Sequence, residues 1–297
     1  MKRSLGERVF NVFNVVFMLL LSAIMIYPYI NQVAISFNEG MDTALGGITI
    51  FPRRFTMQNY TAVFADSSIW NGALVSVTRV LLEVVLSIAV VFIAAFGLTR
   101  KNLPYRRGLT FFLMIPAYVS AGVIPVYIIY RYLGLINSYW VYIVPRLFVF
   151  YNMVIVRSFL QELPESLEES AKIDGAGDFC IMAKIAFPLS KAVIATIALW
   201  IAVGSWNDWT TTLYYITKPE LYPLQYIMMR LIKESEVVQK MAAEAAMTGG
   251  TSTVAFIPTS ESIKAATLIV TTLPIILVYP FVQKYFVTGV MVGAVKG

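Results

Sequence analysis

The chain has 297 residues, of which 58% are hydrophobic and 13% charged, and its mean hydropathy is +0.72. Soluble domains run at about 45–50% apolar and about 25% charged, so soluble, disordered, collagenous and disulfide-scaffold classes are excluded. Histidine is absent, which removes His-based triads, proton relays and His-containing metal sites, and Cys180 alone permits neither an intrachain disulfide nor a thiolate cluster.

The pattern predicts an all-α polytopic membrane protein. A crossing helix needs about 20 mainly apolar residues. Six runs qualify, at residues 9–38, 72–99, 108–130, 138–156, 188–214 and 265–283. The first follows Lys2 and Arg3 as a signal peptide's apolar region would, but it exceeds the usual length of about 7–15 residues. No small-residue cleavage site ends it, so it reads as an uncleaved span. The second carries Arg79 and Glu83, spaced to pair with each other on one helical face. The third has no charge, the fourth holds Arg146 directly after Pro145, and the fifth holds Lys191 at its mouth and Asp208 inside.

Intramembrane charges face a bundle interior, a cavity or a partner. Arg146 therefore has two readings: a ligand for a uronate carboxylate in a pathway, or a structural partner of Asp208 or of another chain. Trp206, Asn207, Asp208 and Trp209 also have two. They line a sugar pathway through amide, carboxylate and indole faces, or they serve helix–helix bonding and an interfacial belt. Tyr214, Tyr215, Tyr222 and Tyr226 read as interface anchors.

Short-loop Lys and Arg set orientation. Lys2, Arg3 and Arg8 precede the first span, and Arg100, Lys101, Arg106 and Arg107 follow the second, whereas Arg131 alone lies between the third and fourth. Both termini are thereby placed in the cytoplasm, with Lys284 and Lys296 at the C-terminal end. The long connections 39–70 and 215–264 fall outside, against the membrane surface or an extracellular partner. The formal charge of +6 thus belongs to topology rather than to nucleic acid. No repeat or linker divides the chain, so residues 1–297 read as one domain.

The informative stretch is the cytoplasmic connection 163–188. Pro164 suits a first helical position, and Glu165, Glu168 and Glu169 fall near the positive end of the helix dipole. Ser170 and Ala171 are small enough for another backbone to approach. Asp174-Gly175 signals a turn. A second short helix over 176–186 then leads to Pro188, expected to open span five, with Cys180 as a small buried apolar residue. On charge alone the hairpin is either a solvated face or an acidic surface for a basic groove.

Glu169-Ser170-Ala171, three residues, Gly175, nine residues and Ile185-Ala186-Phe187-Pro188 resemble the EAA motif of ABC-importer permeases, E-A-A-x3-G-x9-I-x-L-P. Ser170 replaces one alanine and Phe187 the leucine. Trp206-Asn207-Asp208, Tyr279-Pro280-Phe281 and the closing stretch 289–297 resemble the carbohydrate-uptake branch. The likeness is to the smaller maltose-type permease and, more narrowly, to permeases for complex or acidic oligosaccharides such as alginate-type systems.

That resemblance implies a multi-pass protein of the bacterial cell membrane, held in lipid. It works with a second, different permease, two cytoplasmic ABC ATPase subunits and an extracellular solute-binding protein that delivers an oligosaccharide. It also implies that Glu169 pairs with a basic residue in the ATPase groove, that Ala171 and Gly175 permit close docking, and that Asp174 and Gly175 hold the turn. Ile185 and Pro188 complete the coupling motif, and the tail after Lys284 is a further ATPase contact. The chain is expected to be no enzyme and to bind no metal or cofactor, with ATP and Mg on the partner ATPase. Gly249-Gly250-Thr251 lacks the lysine of a P-loop, and Gly175-Ala176-Gly177 is followed by Asp178-Phe179-Cys180 rather than the remainder of a dinucleotide fingerprint.

Two other classes remain open at this point. An ion-coupled secondary sugar transporter would act without an ATPase, and such proteins show internal repeats and interrupted helices. A membrane anchor for a cytoplasmic partner would have no need of Arg146 or Asp208.

Overall fold

The computed structural model describes the backbone of residues 5–247 and 259–294. Gly249-Gly250-Thr251 and residues 295–297 lie outside the described residues, as do the side chains of Tyr279 and Phe281. The described residues are almost entirely helical, with one isolated antiparallel bridge between Asn38 and Phe55.

Long apolar runs free of paired breakers become long helices: α1 (Leu5–Ser36), α4 (Ser67–Thr99) and, near the C-terminus, α14 (Thr259–Ala294). Between α1 and α4 lie two short helices, α2 (Gly40–Ala44) and α3 (Gln58–Ala65). Three segments, Val9–Ser36, Ser67–Thr99 and Glu261–Val278, are long and apolar enough to cross a membrane, and up to six crossings result if each bent pair below is one span.

The other three expected spans are broken, each at an identifiable residue. In the third, α5 (Arg106–Tyr118) ends after Pro116 and α6 (Val123–Tyr132) starts after Gly122, at 117° to it. Proline removes a ladder N–H, and Gly122 adopts a φ of +79° that favours glycine. The fourth begins as two 3-10 turns, Tyr139–Tyr142 and Val144–Arg146, and only then becomes α7 (Phe150–Gln161), bent by 45°. Pro145 sits in the second turn and breaks the ladder there. The helix expected over 138–156 is therefore displaced toward the C-terminus.

After α7 come α8 (Glu165–Ile173) and α9 (Asp178–Ile181), the latter running through a π-turn, Met182–Ala186, into α10 (Phe187–Leu189). A 79° bend at Ser190 separates this stretch from α11 (Lys191–Asn207). Pro188 thus lies before α11 rather than opening the fifth expected span, and the Ser190 hydroxyl donates to the Ala186 carbonyl at 2.7 Å. The helix expected to reach residue 214 stops at Asn207, and α12 (Thr210–Tyr215) follows separately. The connection to α14 contains α13 (Leu224–Met247).

The backbone divides into two compact units. One comprises Met1–Trp70 and Met228–Leu273. In it Arg53 pairs with Asp42 at 2.9 Å, Arg54 pairs with Glu39 at 3.2 Å, and Asn59 donates to the carbonyls of Ser36 and Asn38. None of the most apolar window of α1 is buried, so that face is left for lipid or another chain. The second unit comprises Asn71–Ile227 and Pro274–Gly297 and holds the hairpin together with Arg79, Glu83, Arg146 and Asp208. Its core joins Val91, Phe92 and Ala95 of α4 to Met153 and Val156 of α7 and Ile197 of α11, all nearly inaccessible. The close approach extends to Gly72, where a Cβ would come within 2.6 Å of the Ile227 Cδ1 and 3.2 Å of the Tyr222 carbonyl oxygen.

Candidate functional site

Two sites emerge in the second unit. The first is the α8–α10 hairpin. Helix α8 ends in a paired cap: the Ala176 N–H donates to the Ala171 carbonyl at 2.9 Å and the Gly175 N–H to the Lys172 carbonyl at 3.0 Å. This is the Schellman arrangement, which needs a left-handed residue at Gly175, and its φ is +80°. Nothing lies within 4 Å of where a Cβ would stand, so a side chain there meets a conformational cost of about 1–2 kcal/mol and no clash. Ala171 is buried beneath the helix. Ile173 and Phe179, on either side of the turn, are 86% and 77% exposed. Cys180 is half-buried rather than buried, because it lies on the flank of α9.

The charges on this hairpin are unequally committed. Glu168 takes a bidentate pair from Arg100 at 2.6 and 2.7 Å, Asp178 lies 3.6 Å from the same guanidinium, and Glu165 meets Lys101 at 2.8 Å. The hydrogen bonds from Arg100 and Lys101 hold the carboxyls of Glu168 and Glu165 below their ordinary range, and Glu165 raises the Lys101 ammonium. Glu169 is exposed and makes no ion pair within 4.0 Å among the described residues. These groups border a polar groove of about 890 Å³ whose lining includes Arg106, Glu169 and Lys172.

The second site is a four-charge cluster where α11 ends. The last carbonyls of a helix lack intrahelical partners and favour a cation. Arg79 of α4, with a side chain only 1% exposed, fills that role. Its Nε donates to the Ser205 hydroxyl at 3.2 Å, and its Nη2 to the Ser205 carbonyl and to the Asp208 carbonyl and carboxylate. Its guanidinium lies 4.6 Å from the Tyr142 ring centroid, and the Tyr142 hydroxyl bonds Thr212 and donates to the Leu221 carbonyl. Asp208 joins the two helices: Oδ2 meets both Arg79 and Arg146, while Oδ1 accepts from the Thr211 N–H and the Thr210 hydroxyl at the start of α12.

Arg79 and Glu83 do not pair with each other. Arg79 is drawn to the helix end, and Glu83, one turn along α4, meets the Arg146 Nε at 3.5 Å. Two guanidinium groups and two carboxylates therefore balance. Arg146 binds both acids yet remains 37% exposed, the most accessible member of the set.

The four consecutive residues expected to line a pathway are divided by the helix turn. Trp206 is buried beside an apolar cavity of about 450 Å³ lined by Val77, Leu81, Val84, Leu199 and Ile275, which offers sugar hydroxyls no partner. Asn207 is exposed and donates its amide to the Val203 carbonyl. Both Asp208 oxygens are occupied, and Trp209 is half-buried. Tyr215 packs against Tyr127, Tyr130 and Tyr214 with centroids 4.9–6.2 Å apart, and Tyr222 against Tyr226 at 4.6 Å.

Arg100, Tyr142 and Ser205 escape a reading of the sequence. Arg100 counts there only as a topological charge, and Tyr142 and Ser205 lie in stretches without a motif. The proline at 145, which ends helical order beside Arg146, is the one local signal that the backbone opens there.

A family model described as the binding-protein-dependent transport system inner membrane component matches residues 71–292. The polygalacturonan/rhamnogalacturonan transport system permease protein YtcP of Bacillus subtilis (strain 168) is 34% identical over 98% of this chain and 99% of its own length. Protein LplC of the same organism is 35% identical over 100% and 98%. A crystal structure of a bacterial ABC transporter involved in the import of the acidic polysaccharide alginate contains a chain similar to this one at a TM-score of 0.85 and 26% identity, covering 96% of this chain and 99% of that one.

Proposed function

The chain belongs to the family of binding-protein-dependent transport system inner membrane components, permeases of oligosaccharide ABC importers, and from that premise we propose that it translocates a uronate-containing oligosaccharide by alternating access. In this reading each bent helix pair is one crossing, both termini and the α8–α10 hairpin are cytoplasmic, and the hairpin is moved by an ATPase. A second permease, two ATPase subunits carrying ATP and Mg, and an external binding protein complete the machine.

The observation that carries the reading is the hairpin's exposed set. Glu169 has no ion pair among the described residues, and Ile173 and Phe179 stand bare on both sides of a turn locked by Gly175. Apolar anchors beside one uncommitted carboxylate suit a groove with a basic residue, where the charge sets orientation and the anchors supply affinity. Broken helices are also a trait of secondary transporters. Here, however, Glu83 and Asp208 each meet a guanidinium group, a cation already in place where a coupling ion would sit.

The uronate reading is supported by the substrates named for the relatives and by the accessible edge of Arg146. Glu83 meets the Arg146 Nε and Asp208 its Nη1, so an incoming carboxylate is received at the exposed edge of the same guanidinium. The test is uptake into proteoliposomes holding the full complex. Uptake is expected to require ATP on the ATPase side. Arg146→Gln is expected to lower uptake of an oligogalacturonate, relative to a neutral oligosaccharide, by about tenfold, the worth of one charge-assisted hydrogen bond. ATP-independent uptake would overturn the importer reading, and an unchanged ratio would remove Arg146 from substrate contact.

A further inference from the structure

Arg100 stands where three elements meet. It follows Thr99, the last residue of α4, and its guanidinium carbon sits 4.1 Å from the Phe96 ring centroid, on the same helix end. From there it holds Glu168 of α8 through two parallel bonds at 2.6 and 2.7 Å and approaches Asp178 of α9 at 3.6 Å. Lys101 adds a contact to Glu165, on the first turn of α8. A planar guanidinium matches a carboxylate in two places at once and so fixes direction as well as distance, which a lysine does not. The Arg100 and Glu168 side chains are 20% and 34% exposed, and the cation–ring contact shields the pair further from solvent.

Covalently, the hairpin is joined to α7 on one side and α11 on the other. Neither route reaches α4, whose Arg79 and Glu83 hold the four-charge cluster. We propose that Arg100 is a positioning residue that fastens both arms of the coupling hairpin to the cytoplasmic end of α4, so that hairpin and α4 move as one body during the transport cycle. This rests on the reading of the hairpin as the ATPase contact and adds the path by which its displacement reaches the buried charges. α4 is one unbroken helix from Ser67 to Thr99, and a rigid element of that kind transmits displacement along its length. The bent pairs, by contrast, have a joint in each path.

The test uses the complete complex with its ATPase and binding protein, and reads sugar moved per ATP hydrolysed. Arg100→Gln is expected to assemble with the ATPase and to lower that ratio roughly fivefold, the size of one coupling contact along such a path. Arg100→Lys is expected to fall between, and the exchanged pair Arg100→Glu with Glu168→Arg to recover part of the loss, because the contact to α8 returns while the new carboxylate faces Asp178. A wild-type ratio in Arg100→Gln, or no recovery in the exchanged pair, would overturn the proposal. A second measurement avoids dependence on assembly of the charge variants. Cysteines at positions 100 and 168 in a Cys180→Ser background are joined with a short bifunctional thiol reagent. If the elements travel together, transport continues while they are joined, and arrest that is relieved by cleaving the link would overturn the proposal. Failure of the importer reading looks different, because there wild-type protein itself would show no ATP-dependent uptake.

Discussion

Arg79→Met is expected to destabilise the permease strongly. Removing one member of a buried ion pair typically costs about 3–5 kcal/mol, because the remaining charge stays desolvated. Here the loss also strips the Ser205 and Asp208 carbonyls of their cation at the end of α11. Asp208 would be left with Arg146 alone, and the cluster would carry net negative charge among apolar helices. The measurement is thermal unfolding of the purified complex in detergent, beside Asp208→Asn and the double variant. The double variant keeps Arg146 with Glu83 and restores neutrality, so its destabilisation is expected to be clearly less than the sum of the two single changes. Near-wild-type stability of Arg79→Met, or strict additivity, would show that the four charges do not act as a unit.

Glu169→Lys is expected to leave insertion and the four-charge cluster intact and to remove coupling. Among the described residues it makes no ion pair, so its reversal breaks no salt bridge there. Against a basic groove it replaces attraction by repulsion, and loss of a buried interfacial charge contact costs about 2–5 kcal/mol, or roughly thirtyfold and upward in affinity. Co-purification of the ATPase and ATP-driven uptake are expected to fall together. Glu165→Gln, which removes an exposed pair with Lys101, is the matched control and is expected to retain both. Unchanged uptake in Glu169→Lys would remove this carboxylate from the coupling contact.

The hairpin was largely legible in the sequence. A helix start after Pro164 and a stop at Gly175 are local signals that the chain obeys, whereas Pro188 falls one short helix before the span it was expected to open. Apolar runs likewise marked the three helices that are long and apolar enough to cross a membrane. What hydropathy does not register is backbone breakage, since Pro116, Pro145 and Ser190 alter a ladder without altering an average. Partner choice among charges was also hidden. Helical spacing offered Glu83 to Arg79, but the guanidinium goes instead to the Ser205 and Asp208 carbonyls at the end of α11, 126 and 129 positions away. Consecutive placement of Trp206 to Trp209 hid the fact that a helix end points each in a different direction.

The central claim is that the turn between α8 and α9 faces the cytoplasm and is covered there by the ATPase. A cysteine placed at Ile173 in a Cys180→Ser background measures this directly, using a membrane-impermeant thiol reagent on sealed vesicles. The account predicts labelling in inside-out vesicles stripped of ATPase, protection when the ATPase is restored, and no labelling in right-side-out vesicles. Labelling from the outer face, or labelling unaffected by the ATPase, would contradict it.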